Sequence, residues 1–307
     1  MKNSCRVCNK NADNQVFRIQ EMMFKSEKFY DYFLCKTCNT LQIISNNNED
    51  NSTYPNDYYS YKKTDNRIKN FLIHQRDSYL MFGKNILGFF IQYFAKGPDI
   101  IALASITSDK NAGILDIGCG SGAFIKRLNS LGFNNCVGVD PFIDKDIYDA
   151  SGKLIVKKDN LYSINEIYDV ITFNHSFEHI PDFQGTLLHA NKILVEKGVC
   201  IIRIPIFPSF AWKKYKENWV QIDAPRHINI FSIQAIAKIS EESNFIIEHI
   251  YDDSNYFQFL GSEKRNNSVG ISKLKLIIDR VYWNIKASKL NRIGQGDQKV
   301  FVLRKNN

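Results

Sequence analysis

Three stretches of this chain carry residue types that do chemistry rather than merely fill space. The first is Cys5-Arg6-Val7-Cys8 together with Cys35-Lys36-Thr37-Cys38. Two Cys-x-x-Cys pairs offer four thiolates, the soft tetrahedral set that structural Zn²⁺ prefers; four sulfur ligands leave no open position for catalysis. Four unligated thiols, or a redox pair, are the plainer alternatives. The second stretch is Asn174-His175-Ser176-Phe177-Glu178-His179. Histidine titrates near neutrality, so His179 is the first candidate for a general base, with Glu178 orienting it or the substrate. Fastening a loop to a helix is the competing structural role for both. The third is Trp219-Val220-Gln221-Ile222-Asp223-Ala224-Pro225-Arg226-His227. Here Arg226 can grip a phosphate or carboxylate in a fork, Trp219 and Asp223 can line a substrate site, and His227 is an alternative base. A salt bridge between Arg226 and Asp223 that only shapes a lid fits the spacing equally well.

The elements that must position these groups are legible from pattern. Ile114–Ile117 is a short apolar run that breaks into Gly118-Cys119-Gly120-Ser121-Gly122, followed by the amphipathic run 124–131. That order reads as strand, tight turn and helix, the first unit of a doubly wound α/β fold with a mostly parallel sheet. Glycines allow the backbone to approach a ligand closely, and the helix start aims free N–H groups at it. Further strands are expected at 136–140, 154–157, 169–174, 199–204, 246–251 and 299–303, alternating with helices. Asp140-Pro141 ends the second strand, where a carboxylate can accept both hydroxyls of a ribose. Residues 64–110 read as helical, with Pro98 separating two helices. The domain plan is thus a zinc-binding module at 1–45, a tyrosine-rich linker at 46–63, and an α/β domain at 64–307. Within it, 207–231 and 252–297 exceed ordinary loop lengths and are expected on the substrate side. Tyr58, Tyr59 and Tyr61 in the linker can form an aromatic wall over a sugar or base, or pack between module and domain.

The Gly-x-Gly-x-Gly spacing after Asp116 differs from the Gly-x-Gly-x-x-Gly of dinucleotide binders and resembles motif I of class I S-adenosylmethionine-dependent methyltransferases. The resemblance extends along most of the chain. Glu178-His179 is similar to the Glu-His pair found after strand four in many small-molecule methyltransferases. Asp223-Ala224-Pro225-Arg226-His227 is similar to a segment of bacterial methyltransferases associated with surface-polysaccharide and sugar biosynthesis. It implies a seven-stranded sheet with the last strand inserted between the fifth and sixth. For the cofactor, it implies that Asp116, Gly118, Cys119, Gly120 and Gly122 hold the amino-acid portion of S-adenosylmethionine and Asp140 its ribose. Asp159, Asn160 and Leu161 would hold adenine, and Asn174 and His175 would lie beneath the methionine part. Sugar C-methyltransferases acting on nucleotide-linked ketosugars share the zinc start, but their C-terminal domain is large, whereas little chain follows Ile250 here. The expected chemistry therefore shifts to oxygen: O-methylation of a sugar hydroxyl or a sugar- or glycan-linked phosphate in bacterial cell-surface glycan synthesis. C-methylation of a ketosugar is the alternative. The Asn/Asp-Pro-Pro-Tyr/Phe signature of amino methylation is absent after strand four, where Asn174 is followed by His175-Ser176-Phe177.

Composition narrows the partners. The net charge of +8 favours an anionic acceptor such as a nucleotide-sugar or a phosphorylated sugar. A zinc ribbon with excess lysine also suits nucleic acid, but the basic residues are scattered rather than blocked, which argues against it. The apolar region 86–106 is interrupted by Gln92, Lys96, Pro98 and Asp99, so it is too broken for a membrane span, while peripheral membrane contact stays open. No run resembles a signal peptide, and seven cysteines suit a reducing compartment, so a cytoplasmic location is expected. Oligomeric state has no signature in the sequence.

Overall fold

The computed structural model describes residues 3–24, 26–44, 66–266 and 273–306. The chain opens with two short paired strands, β1 (Asn3–Ser4) and β2 (Asn11–Ala12), then the hairpin of β3 (Gln15–Gln20) and β4 (Phe29–Leu34), and β5 (Leu41–Ile43). Three helices follow: α1 (Arg67–Phe82), α2 (Ile86–Phe94) and α3 (Pro98–Ala104). Pro98 starts the third of them, at the first helical turn, where its missing N–H costs nothing. The additional break lies at Gly83, which closes α1 in the left-handed region, and at Asn85, whose side chain caps α2.

The α/β part runs β6 (Ile114–Ile117), α4 (Ala123–Ser130), β7 (Cys136–Val139), β8 (Ile147–Tyr148), β9 (Leu154–Lys157), β10 (Tyr168–Asn174), α5 (Phe183–Lys192) and β11 (Leu194–Pro205). It continues through α6 (Phe210–Tyr215), β12 (Asn229–Ile230), α7 (Ile233–Glu242), β13 (Phe245–Asp252), α8 (Phe257–Asn266), α9 (Lys273–Arg292) and β14 (Gln298–Lys305). The main sheet has the order β13-β14-β11-β10-β6-β7-β9-β8. Its central pairs β11·β10, β10·β6, β6·β7 and β7·β9 are parallel, and β14 lies antiparallel between β11 and β13. The expected doubly wound seven-stranded sheet, with its last strand inserted, is therefore present. The short antiparallel strand β8 adds an unexpected eighth at the edge. All four residues of β6 are buried, as an apolar strand covered by helices on both faces requires.

The N-terminal segment is joined to the α/β part by a strand and by a shared core. β12, from the distant 219–230 stretch, pairs antiparallel with β5 through Asn229↔Gln42 and Ile230↔Leu41, completing a four-stranded sheet β12-β5-β4-β3. Cys5, Val7, Phe33, Cys35 and Cys38 share one buried apolar cluster with Leu115, Phe173 and Phe231 of the α/β part. A segment this small has too little apolar surface to fold alone, and it obtains the rest from its neighbour. Among the described residues no helix is long and apolar enough to cross a membrane. Tyr58, Tyr59 and Tyr61, and the linker carrying them, lie outside the described residues.

Candidate functional site

The glycine turn is built by backbone geometry that side chains resist. Gly118, Gly120 and Gly122 all have positive φ, and a Cβ on Gly118 would stand 2.5 Å from the Ser176 Cβ. The Gly118 N–H donates to the Val139 carbonyl at 2.8 Å, and the Gly120 N–H to Asp140 Oδ2 at 2.9 Å. Asp140 Oδ1 also accepts from the Phe142 N–H at 2.8 Å, so this buried carboxylate ties the turn to the end of β7. Asp116, at the end region of β6, is 2 % exposed and accepts from Thr172 Oγ1 at 2.7 Å and Asn174 Nδ2 at 3.1 Å. Burial pushes its pKa up to about 7 against those two hydrogen bonds.

Beside the turn, at the carboxyl end of β10, the chain enters a short 3₁₀ turn over Phe177–His179. Glu178 is fully buried there, and His179 is half-buried. His179 Nδ1 lies 2.8 Å from the Arg226 carbonyl, and His227 Nδ1 lies 2.7 Å from the Gln221 carbonyl. A carbonyl only accepts, so both Nδ1 atoms carry their hydrogens and each Nε2 is turned away from that bond. The two rings meet edge to face with centroids 4.7 Å apart. Glu178 Oε1 lies 3.5 Å from His175 Nδ1 and 3.8 Å from His227 Nε2. Burial pushes the His227 pKa down to about 4, which keeps its imidazole neutral at pH 7. The loop holding His227 is fixed to the 3₁₀ turn by the Ile228 N–H, which donates to the Glu178 carbonyl at 3.0 Å.

One cavity of about 1370 Å³ joins these parts. Its walls include Asp116, Gly118, Cys119, Gly120, Asn174 and His175 from the glycine-turn side, and Asp223 and His227 from the opposite side. Of the residues expected to hold the cofactor, Gly122, Asp140, Pro141, Asp159, Asn160 and Leu161 stand in the adjoining turns outside these walls. The sequence of residues 89–250, which carries the glycine turn and the parallel strands, matches a family described as a methyltransferase domain. The chain belongs to this methyltransferase family.

Among curated proteins, no sequence matches. Solved structures similar to this methyltransferase include the cyclopropane synthase MmaA2 from Mycobacterium tuberculosis, at 15% identity and a TM-score of 0.45, covering 80% of this chain and 100% of that one. An S-adenosylmethionine-dependent methyltransferase from Archaeoglobus fulgidus is 20% identical with a TM-score of 0.44, covering 72% of this chain and 100% of that one. The family assignment rests on the sequence match and not on these loose likenesses.

The acceptor side of the methyltransferase cavity differs from its expected composition. Trp219 is completely buried, with its Nε1–H donating to Asp297 Oδ2 at 3.0 Å, so it braces the wall from behind instead of facing a substrate. Arg226 is 3 % exposed and committed to Asp223 and Glu21, at 2.5 and 2.9 Å. The salt bridge weighed as the plainer role for Arg226 and Asp223 is the arrangement present, and no free fork is left for a phosphate. Gln20, Glu21, Met22 and Met23, at the tip of the β3–β4 hairpin, line the cavity. Arg203, Gln221, Lys264, Arg265 and Gln298 also line it without having been singled out. Their only sequence signal was membership, for some of them, in the two over-long segments.

The four cysteines form a site with the right donors for zinc. Cys5 and Cys38 Sγ atoms are 3.5 Å apart, Cys8 and Cys35 Sγ atoms 3.6 Å, and all four lie within 4.8 Å of one another. Four sulfurs about 2.3 Å from a central ion stand at nearly this spacing. The two knuckles repeat one backbone pattern: Asn9 and Asn39 adopt left-handed φ and donate their N–H to the Cys5 and Cys35 carbonyls.

Proposed function

We propose that this methyltransferase transfers a methyl group to an oxygen of a sugar hydroxyl, or of a sugar- or glycan-linked phosphate, in bacterial cell-surface glycan synthesis. The observation that supports the reading is that the glycine turn and His227 line one cavity, with Glu178 and His179 packed against His227 outside its walls. S-adenosylmethionine supplies an already activated methyl group, so the protein has only to align the acceptor oxygen, exclude water and accept a proton. In this reading Asp116 and the turn Gly118–Gly122 hold the amino-acid end of the donor, and Asp140, Asp159, Asn160 and Leu161 its nucleoside. Asn174 and His175 lie beneath the methionine portion. The proton leaves the acceptor toward His179, with Glu178 and His227 at its side.

Lys264 on α8 gives the cavity wall a cationic group suited to an anionic acceptor, while Arg203 is paired with Asp253 and Arg265 with the Trp219 and Ile222 carbonyls. Zn²⁺ on Cys5, Cys8, Cys35 and Cys38 would brace the hairpin whose tip closes this wall. The test is turnover of phosphorylated and nucleotide-linked sugars with S-adenosylmethionine, read by mass spectrometry as gain of one methyl group. His179→Ala should abolish product while leaving affinity for S-adenosylhomocysteine nearly intact. Equal loss of both would make His179 structural, and methylation confined to carbon would sink the oxygen assignment.

A further inference from the structure

Glu178 is a carboxylate with no exposed surface, and among the described residues neither of its oxygens receives a hydrogen bond of ordinary geometry. Two ring nitrogens stand beside it, His175 Nδ1 at 3.5 Å and His227 Nε2 at 3.8 Å. Burying a carboxylate without donors is among the most unfavourable things a fold can do, so such groups are paired or bind metal. His175 Nδ1 is placed for at most one long hydrogen bond to it, and the imidazoles of His179 and His227 supply no donor in their neutral forms. The Nδ1 hydrogens of His179 and His227 are already given to the Arg226 and Gln221 carbonyls, which makes the Nε2 of each ring an acceptor. The acceptor Nε2 of His227, a Glu178 oxygen and one ring nitrogen of His179 therefore stand close together.

We propose that Glu178, His179 and His227 bind a divalent first-row transition-metal ion of the zinc or iron(II) type. One ligand atom from each of the three lies within 4.8 Å of the others, and Glu178 Oε1 to His227 Nε2 is 3.8 Å. Metal–ligand bonds of about 2.1 Å bring such atoms to roughly 3.0–3.5 Å, so closure needs side-chain shifts of an ångström or so. Two imidazoles and one carboxylate on one face of an ion form a borderline N/O set that leaves further positions open. The two carbonyls on Nδ1 are the outer partners that fix a ligating histidine's tautomer and orientation. His227 and His175 face the cavity, so the open positions point to where an acceptor oxygen would enter.

Only the catalytic consequence of this site rests on the O-methylation reading, where it replaces proton transfer to His179. An acceptor hydroxyl on the ion loses its proton to water, because the ion's charge lowers its pKa, and His179 and His227 then serve as ligands instead of free bases. Methyl transfer forms the oxygen–carbon bond and breaks the carbon–sulfur bond, whose electron pair remains on sulfur.

The test is metal content of the full chain after gel filtration in metal-free buffer, with and without prior incubation with Co²⁺. Wild type should carry about two ions per chain, one on the cysteines and one here, and Glu178→Gln and His227→Gln about one. The bound cobalt should show two signatures: thiolate charge transfer, lost in Cys8→Ser, and a weaker ligand-field band of an N/O site, lost in Glu178→Gln. S-adenosylhomocysteine affinity within about threefold of wild type shows that each variant is folded. One ion per chain in wild type at excess Co²⁺, or two retained in Glu178→Gln, overturns the proposal. Methyl transfer by a protein with only the cysteine-bound ion would leave the function standing and remove this site; a second ion without methyl transfer to any sugar would do the reverse.

Discussion

Asp116→Asn should make the unliganded protein more resistant to unfolding in mild alkali and, at the same time, a poorer binder of its methyl donor. The wild-type carboxyl is 2 % exposed and its pKa is pushed up to about 7 by burial. In the unfolded chain it titrates near ~3.9. Below that pH both states hold the proton and the site costs nothing. As pH rises, the unfolded chain releases its proton while the folded one keeps it, so stability falls until pH passes about 7 and is constant above. The penalty is roughly 1.5 kcal/mol at pH 5 and about 4 kcal/mol at pH 8, a loss of ~2.5 kcal/mol between them. Asparagine does not titrate, and its oxygen can still accept from Thr172 and Asn174. Its amide adds a buried donor worth about 1–3 kcal/mol if unsatisfied, which offsets part of the gain equally at every pH. The quantity to measure is therefore the difference between variant and wild type in denaturant midpoint at pH 5 and pH 8. It should move by ~2.5 kcal/mol in favour of the variant. The donor's ammonium would be the natural partner of the ionised carboxylate, so calorimetry at pH 8 should show affinity for S-adenosylmethionine falling roughly 10- to 100-fold in the variant. Parallel stability curves for the two proteins between pH 5 and 8 would refute the argument, whatever happened to binding.

Further perturbations separate the two halves of the cavity. Cys8→Ser should release the zinc proposed for the cysteine site and lower kcat sharply with little change in donor affinity, measured by metal analysis, activity assay and calorimetry, because among the described residues the N-terminal segment lines the cavity only at Gln20–Met23. Arg226→Ala leaves Glu21 and Asp223 buried without their cation and should cost about 3–5 kcal/mol in urea unfolding, whereas charge removal on both sides, as in Arg226→Met with Asp223→Asn and Glu21→Gln, should cost less. Gly118→Ala forces a Cβ to within 2.5 Å of Ser176 at a left-handed φ and should cost about 1–3 kcal/mol, with donor binding lost by calorimetry even where the variant remains folded.

The cofactor half was legible because its determinants are local. An apolar run, three glycines and a following amphipathic helix specify strand, left-handed turns and helix start within a dozen residues. The strand order followed from the resemblance once that unit was seen. The acceptor half was not legible, since contacts between residues far apart in the chain decide it. Nothing near Arg226 announces that Glu21 will meet it, and nothing near Trp219 announces Asp297. Aromatic, acid and arginine in a row looked like a binding strip, yet burial turned Trp219 and Arg226 into supports. Their neighbours His227 and Asp223 keep the cavity face.

Those distant contacts also give the cysteine module a reason to be there. Arg6 donates to the Ile228 carbonyl at 3.1 Å and to Asn229 Oδ1, Tyr32 donates its hydroxyl to the His227 carbonyl at 2.9 Å, and the Ile43 N–H donates to Ile228. Ser232 Oγ reaches the Cys38 carbonyl, within the second knuckle itself. Every residue from His227 to Asn229 thus takes a hydrogen bond from the N-terminal segment, while the same loop is bonded to the Glu178 carbonyl on its other side. A loop held from two sides keeps His227 in register with Glu178 without relying on its own conformational preferences, which are weak. Zinc on the cysteines, as proposed, would contribute its binding free energy to the folding of the segment that makes these bonds. Tyr32→Phe isolates the link: it removes one donor from a buried carbonyl and leaves the cysteines untouched. It should cost about 1–3 kcal/mol and lower kcat without changing zinc content or donor affinity. If kcat survives while stability falls by that amount, the module only props up the fold, and positioning of His227 is not its task.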